Sequence, residues 1–251
     1  MAAQADVRRL AKPLLGCERG LYVIFPVPCV PFAVLTEQRT PFDISIRTHR
    51  EIMTLAVDTN SKSMVAPAGT FKMCHPAWFE RNDDSSMSTE SSAITKVVNV
   101  VAKRWFYRDP VDAADTGAGR GRKRLTTKDE LAKMLDEANC LYWGTSLMNL
   151  AYDAVDEFIS QSGGHCTIHI PQLCVVHAGL AVPQDARHGR SAVYLLEEII
   201  EGKFIKYVNN NSATPRNGLG RAEHDIALFL CFAQHLQYWL SRGLVFLSDF
   251  Q

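Results

Sequence analysis

Apolar positions recur along this chain with two different periods. Between Thr127 and Ser160, Leu131, Met134, Leu135 and Ala138 keep the three-and-four spacing of a helix face, and Thr127 followed three residues later by Glu130 is a capping-box signature. The pattern predicts one long helix, or two joined near Gly144. EHDIALFLCFAQHLQYWLSRG, from Glu223, has the same amphipathic period and predicts a further helix. Elsewhere the apolar residues gather in short β-branched runs. ITKVVNVVAKRWFY (from Ile94) and GLVFLSDFQ (from Gly243) read as buried strands, HCTIHIPQLCVVHAGLAV (from His165) as one or two strands, and EGKFIKYVNNNS (from Glu201) as a strand running into a polar loop. APAGTFKMCHPAWFE, from Ala66, is a glycine-containing turn with extended flanks, and the residues before it mix short β-like runs with Pro and Thr. Strands, then helix, then strands, helix and a terminal strand predict an α+β chain in two lobes rather than a repeating βαβ sheet.

Composition narrows the partners. With 251 residues, 47% apolar and 22% charged, the chain is long enough to bury a sizeable core. Lys plus Arg equals Asp plus Glu at 27 each, so no global field favours nucleic acid or an anionic membrane, and neither is expected as a partner. Any phosphate site must be local. Seven cysteines, an odd number without a tight framework, point to a reducing compartment. The apolar stretch from Gly20 to Leu35 is interrupted by Pro26, Pro28 and Pro31 and falls short of the roughly 20 residues of a spanning helix. Glu18 beside it makes a poor signal peptide. An intracellular, cytoplasmic protein is the expectation.

Four features could carry chemistry. TGAGRGRKR, Thr116 to Arg124, lacks G-K-[ST] and the strand-to-helix context of a phosphate loop, so a solvated linker is the preferred reading over a nuclear-targeting cluster. Cys166 with His169, and Cys174 with His177, have zinc-ligand spacing, with His165 nearby. If the run is a strand, residues three apart face opposite sides, and core Cys and satisfied His are the preferred reading. Lys103 sits inside the apolar run VVAKRW, where an ammonium needs either an exit to water or an anion such as a nucleotide phosphate. Asp249 closes the last apolar run, a position suited to a metal-binding carboxylate. An ammonium for phosphates, amide oxygens from the Asn triplet and a carboxylate for Mg²⁺ together meet the needs of phosphoryl transfer.

LEEIIEGKFIKYVNNNS, from Leu196, resembles the hallmark L-E-x-x-x-x-G-x-F-x-K-Y-N-N-N of the α-kinase family, the atypical protein kinases. GTFKMCHPA resembles the family's G-x-F-R-x-A phosphate loop, VVAKRW its V-A-K-R lysine motif and GLVFLSDFQ its D-x-Q motif, all in the family's order. His235 stands 16 residues before Gln251, the family's spacing from zinc histidine to that glutamine. The resemblance covers about residues 66 to 251. Lys72 replaces the family's Arg, and Val208 its first Asn.

The resemblance implies a two-lobed protein-kinase-like fold with an ATP cleft between the lobes. It implies a segment of unassigned role over 1–65, an N-lobe over 66–195, and a hinge and C-lobe over 196–251. Gly69, Lys72, Lys103, Leu196 and Glu197 would bind ATP, with Lys103 on the α- and β-phosphates and Glu197 at the adenine amino group. Lys206 would balance charge at the transferred phosphate. Asn210, Asp249 and Gln251 would hold Mg²⁺, with Asp249 also catalytic. The family pattern runs on past its D-x-Q motif to a T-D-P element and an H-x-C-x3-C tail carrying three of four zinc ligands. The sequence ends at Gln251, so the expectation is a shortened member whose zinc site, at His235, is incomplete. The function implied is transfer of the ATP γ-phosphate to Ser or Thr of a protein substrate. The alternative is a pseudokinase that binds nucleotide or protein without transfer.

Overall fold

The protein was analysed as a computed structural model, which describes residues 16–65, 69, 71–80, 92–108, 122–164, 168–185, 192–209 and 212–250. In chain order its elements are β1 (Cys17–Pro26), α1 (Phe32–Gln38), β2 (Glu51–Asp58), β3 (Lys72–Glu80), α2 (Ala93–Lys96), β4 (Asn99–Arg108), β5 (Arg122–Arg124), α3 (Thr127–Gln161), β6 (Ala178–Pro183), β7 (Tyr194–Glu198) and α4 (Arg221–Leu240). They form two compact units. One comprises the described parts of Met1–Ile24, Arg50–Met134 and Ala181–Glu197, the other those of Phe25–His49, Leu135–Leu180 and Glu198–Gln251.

The first unit holds a seven-stranded sheet in the order β3-β2-β1-β6-β7-β4-β5. Because β3 also pairs with β4, the order closes on itself and β5 is left hanging from β4. Alternate residues point into that ring. Tyr22 and Ile24 of β1, Leu55 and Val57 of β2, and Val100 and Ala102 of β4 share one buried cluster. The reading of Ile94 to Tyr107 as one strand is corrected at its start, where Ile94–Lys96 lie in α2. Glu51 Oε1 there accepts hydrogen bonds from the Ser92 amide (3.1 Å) and the Thr95 hydroxyl (2.9 Å), which fixes a helical turn before the strand can begin.

Of TGAGRGRKR, expected as a linker, residues 116–121 lie outside the described residues, and Arg122–Arg124 add the short strand β5 to the sheet. The helix that follows is capped one residue earlier than the sequence signature suggests. Thr126 Oγ1 accepts from the Asp129 amide at 3.2 Å and donates to the Asp129 carboxylate at 2.7 Å. Glu130 is thereby released from capping and lies fully buried, accepting from Arg124 Nε at 2.7 Å, Arg124 Nη2 at 3.0 Å and the Val193 amide at 3.1 Å.

α3 is a single helix of 35 residues, unbroken at Gly144. It ends at Gly163 and Gly164, whose φ of +80° and +77° suit glycine and turn the Gly164 amide back to the Ile159 carbonyl at 2.9 Å. In the second unit, Asn139 of α3 binds both backbone groups of Phe42, and Ser146 donates to the Val30 carbonyl, so the segment containing α1 is tied to the helix. That helix is an addition to the β-like runs expected there.

The run from Ile168 to His177 is not a strand, and β6 starts at Ala178. Pro171 has no amide to give a ladder. Tyr152 of α3 takes the place of a strand partner, donating to the Pro171 carbonyl at 2.6 Å and accepting from the Leu173 amide at 2.8 Å. The two motif runs expected as strands in the C-terminal region likewise form no strand. Among residues 201–208 the one bridge is Val208 with Pro215, and residues 244–250 have none. Leu244 is 81% exposed, so the terminal run is not a buried strand either.

Candidate active site

The pairing of β3 with β4 places Lys72 opposite Trp105 and Cys74 opposite Lys103. Directly opposed pairs two residues apart share a face, so Lys72, Cys74 and Lys103 stand together on one side of the sheet. The other side carries His75 and Ala102, both buried in the core. Gly69, Lys72 and Phe71 form the turn into β3: the Gly69 amide donates to the Lys72 carbonyl at 3.0 Å and the Phe106 amide to the Phe71 carbonyl at 3.0 Å. Phe71 stacks on Trp105 with ring centroids 5.4 Å apart.

Lys103 Nζ lies 2.5 Å from Glu197 Oε2. Their side chains are 26% and 13% exposed, so the ammonium embedded in an apolar strand finds a carboxylate rather than an exit to water. Leu196, the neighbour of Glu197, turns its side chain into the core cluster and contributes only backbone to the Glu197 side. Burial pushes the Cys74 thiol above its ordinary value, with the Lys103 charge opposing.

The second unit contains Lys206 and Asp249. Lys206 Nζ lies 2.7 Å from Asp249 Oδ1. The contact is an ion pair rather than an aligned hydrogen bond, and that carboxylate oxygen is shielded from solvent although the side chain as a whole is 42% exposed. Asp249 has a φ of +62°, a left-handed conformation that asparagine, aspartate and glycine tolerate best. The next residue, Phe250, accepts at its carbonyl from the Tyr207 amide at 3.1 Å and packs on the buried cluster of Val208, Leu230 and Cys231. The two motif segments are thus held side by side by backbone, charge and apolar contacts at once.

Were EGKFIKYVNNNS a strand, Phe204, Lys206 and Val208 would share one face, and they do not. Phe204 is 72% exposed whereas Val208 is fully buried, because the segment follows no ladder. Asn210 and Gln251 lie outside the described residues, as do His165 and Cys166. His235 is exposed on α4, and among the described residues no group of three or more His, Cys, Asp or Glu side chains is placed to hold a metal. The hard oxygen of Asp249 suits Mg²⁺.

Two site-forming residues escape the sequence reading. Gln234 and Gln237 of α4 are buried, and both hold the backbone of Leu247, two residues before Asp249. Their signal was present as two glutamines three apart on the apolar face of an amphipathic helix.

A family model described as the alpha-kinase family matches residues 119–251. The chain belongs to the alpha-kinase family. Its α+β, kinase-like fold and its standing as a protein kinase domain follow from that membership. No protein of curated function matches the sequence. Solved structures similar to this alpha-kinase chain include the alpha-kinase domain of myosin-II heavy chain kinase A, at 12% identity over 92% of this chain and 78% of that one, with a TM-score of 0.46. The same domain in complex with ADP matches at 13% identity, over 92% and 77% of the two chains, with a TM-score of 0.44. An alpha kinase from Entamoeba histolytica matches at 15% identity, over 92% and 71%, with a TM-score of 0.43. At these scores the family model, not the superposition, carries the assignment.

No helix among the described residues is long and apolar enough to cross a membrane.

Proposed function

We propose that this alpha-kinase domain binds ATP with Mg²⁺ and transfers the γ-phosphate to Ser or Thr of a protein substrate. The observation that supports it most directly is the ion pair between Lys206 and Asp249, which joins the family's asparagine-loop motif to its D-x-Q motif across a long stretch of chain. A mere surface pairing would not need the Tyr207 amide, the Phe250 carbonyl and the Val208 cluster to hold it.

In this reading Glu197 holds the Lys103 ammonium at a fixed place, and Lys103 offers its remaining donors to the α- and β-phosphates, the role of the strand lysine in kinases. Lys72 and the backbone turn at Gly69 take the outer phosphates, Lys72 as a point charge without the bidentate fork of an arginine. Glu197 and the backbone at Leu196 border the adenine. Asn210, Asp249 and Gln251, one carboxylate and two amide oxygens, are a donor set suited to Mg²⁺, which when bound neutralises charge on the transferring phosphate. Lys206 keeps the Asp249 carboxylate oriented and lends positive charge where negative charge develops.

The test is transfer of radiolabelled phosphate from ATP to Ser/Thr peptides or to the chain itself, run beside ADP titration calorimetry. Transfer to Ser or Thr supports the reading. ADP binding without transfer to any peptide, or to the chain itself, makes it a nucleotide-binding pseudokinase instead.

A further inference from the structure

Asp249 sits in a segment with no strand partner, yet it must be held to within a fraction of an ångström if it is to work with Lys206. The segment's fixed point is Leu247. Its amide donates to Gln237 Oε1 at 2.9 Å, and its carbonyl accepts from Gln234 Nε2 at 2.7 Å. Gln237 spends its own amide group on the Leu147 carbonyl of α3 at 3.1 Å, so it bridges α3 to the motif segment. Gln237 is fully buried and Gln234 nearly so. The Leu247 side chain approaches α3 at Gly144, where an added Cβ would meet Leu247 Cδ2 at 3.4 Å. A buried helix-face glutamine costs desolvation unless both ends are satisfied, and here both are.

We propose that Gln237 is a positioning residue for Asp249: with Gln234 it acts as a side-chain substitute for a strand, fixing the backbone of Leu247 and through it the carboxylate that pairs with Lys206. The activity consequence rests on the phosphoryl-transfer reading above. The structural consequence does not.

Two residues of backbone separate the pin from the carboxylate, and displacement of a reacting group by about 1 Å can cost on the order of 10²-fold in rate. Gln237→Leu, which keeps the bulk and removes the side-chain hydrogen bonds to Leu247, Leu147 and Met148, should lower kcat by on the order of 10²-fold with KM for ATP changed by less than about two-fold. Hydrogen exchange across residues 244–250 should accelerate while α4 residues 221–233 keep their protection. Acceleration spread equally over α4 would mean a general packing role and would overturn the proposal, as would unchanged exchange over 244–250. Should Gln237→Leu not fold, the native chain decides. Its Leu247 amide, outside any helix or strand, should exchange at least about 100-fold more slowly than an unstructured peptide, and free exchange there sinks the idea. A native chain that transfers no phosphate removes the kinase reading but leaves the exchange results to decide the pin.

Discussion

Lys206 and Asp249 form a direct ion pair, Nζ to Oδ1 at 2.7 Å, within the second compact unit. The side chains are 28% and 42% exposed, and that exposure decides what the pair is for. Partly solvated pairs contribute about 0–1 kcal/mol to stability. The backbone bond from Tyr207 to Phe250 and the Phe250 contact with Val208 already hold the two segments together. The charges are therefore poorly explained as a stabilising device.

Asp249→Asn, which removes the charge and keeps a residue that tolerates the left-handed backbone, should leave the thermal midpoint almost unchanged, with a cost below about 1 kcal/mol. Phosphate transfer should fall by about 10³-fold. Transfer within ten-fold of the native chain would show that Asp249 takes no part in the reaction.

Lys103 and Glu197 are more enclosed than the first pair. Lys103→Met leaves a carboxylate with 13% exposure facing an apolar side chain. The expected stability loss is about 1–2 kcal/mol, less than the 3–5 kcal/mol of a fully buried broken pair because the Glu197 carboxylate left behind is still partly exposed to water. Transfer should be abolished and ADP affinity reduced, measured by calorimetry on a chain whose circular dichroism is unchanged. An unaltered ADP affinity would remove Lys103 from the nucleotide site.

Glu130 offers a contrast, since it is fully buried and outside the proposed chemistry. Arg124→Met strips it of a two-pronged partner and leaves only the Val193 amide. Breaking a buried pair in this way costs about 3–5 kcal/mol, which for a chain of this size lowers the melting temperature by about 6–20 °C. Arg124→Met with Glu130→Met together should recover most of the loss, because the stranded charge is gone. A melting temperature unchanged in the single variant would mean that the stranded Glu130 side chain is satisfied by water without penalty.

Long periodic segments were legible in the sequence, and so were the motif residues. α3 and α4 follow from their apolar spacing, and Lys103 announced its need for an anion by standing in an apolar strand. The partner itself was not legible. Glu197 was expected at the adenine, and its pairing with Lys103 depends on a sheet order, β7 beside β4, that joins residues 94 positions apart. The false strands near Val175, Phe204 and Phe246 share one cause. An apolar run says that a segment is extended and partly buried, but not what satisfies its backbone. Here side chains do so, from Tyr152 in one case and Gln234 with Gln237 in another. The interleaving of the two units is invisible for a related reason, since α3 passes from one to the other without any change in period.

His75 should make stability depend on pH. It is buried on β3, its Nδ1 lies 3.1 Å from the Asp58 carbonyl and therefore carries the proton, and Nε2 has no hydrogen-bond partner among the described residues. Burial, with the Arg104 charge nearby, holds its pKa below the ordinary 6.5, against weaker opposing effects of the Asp58 backbone bond, Glu18 and Asp58. Between the folded and unfolded values the unfolded chain binds more protons, so stability rises with pH across that interval. The contribution is complete above about pH 6.5 and is lost as pH falls through the folded pKa. Melting temperature should therefore decline on acidification between about pH 7 and 5, and the decline should be shallower in His75→Gln, which cannot titrate. Parallel curves for the two proteins would show that the imidazole is reached by water and protonated in the folded state.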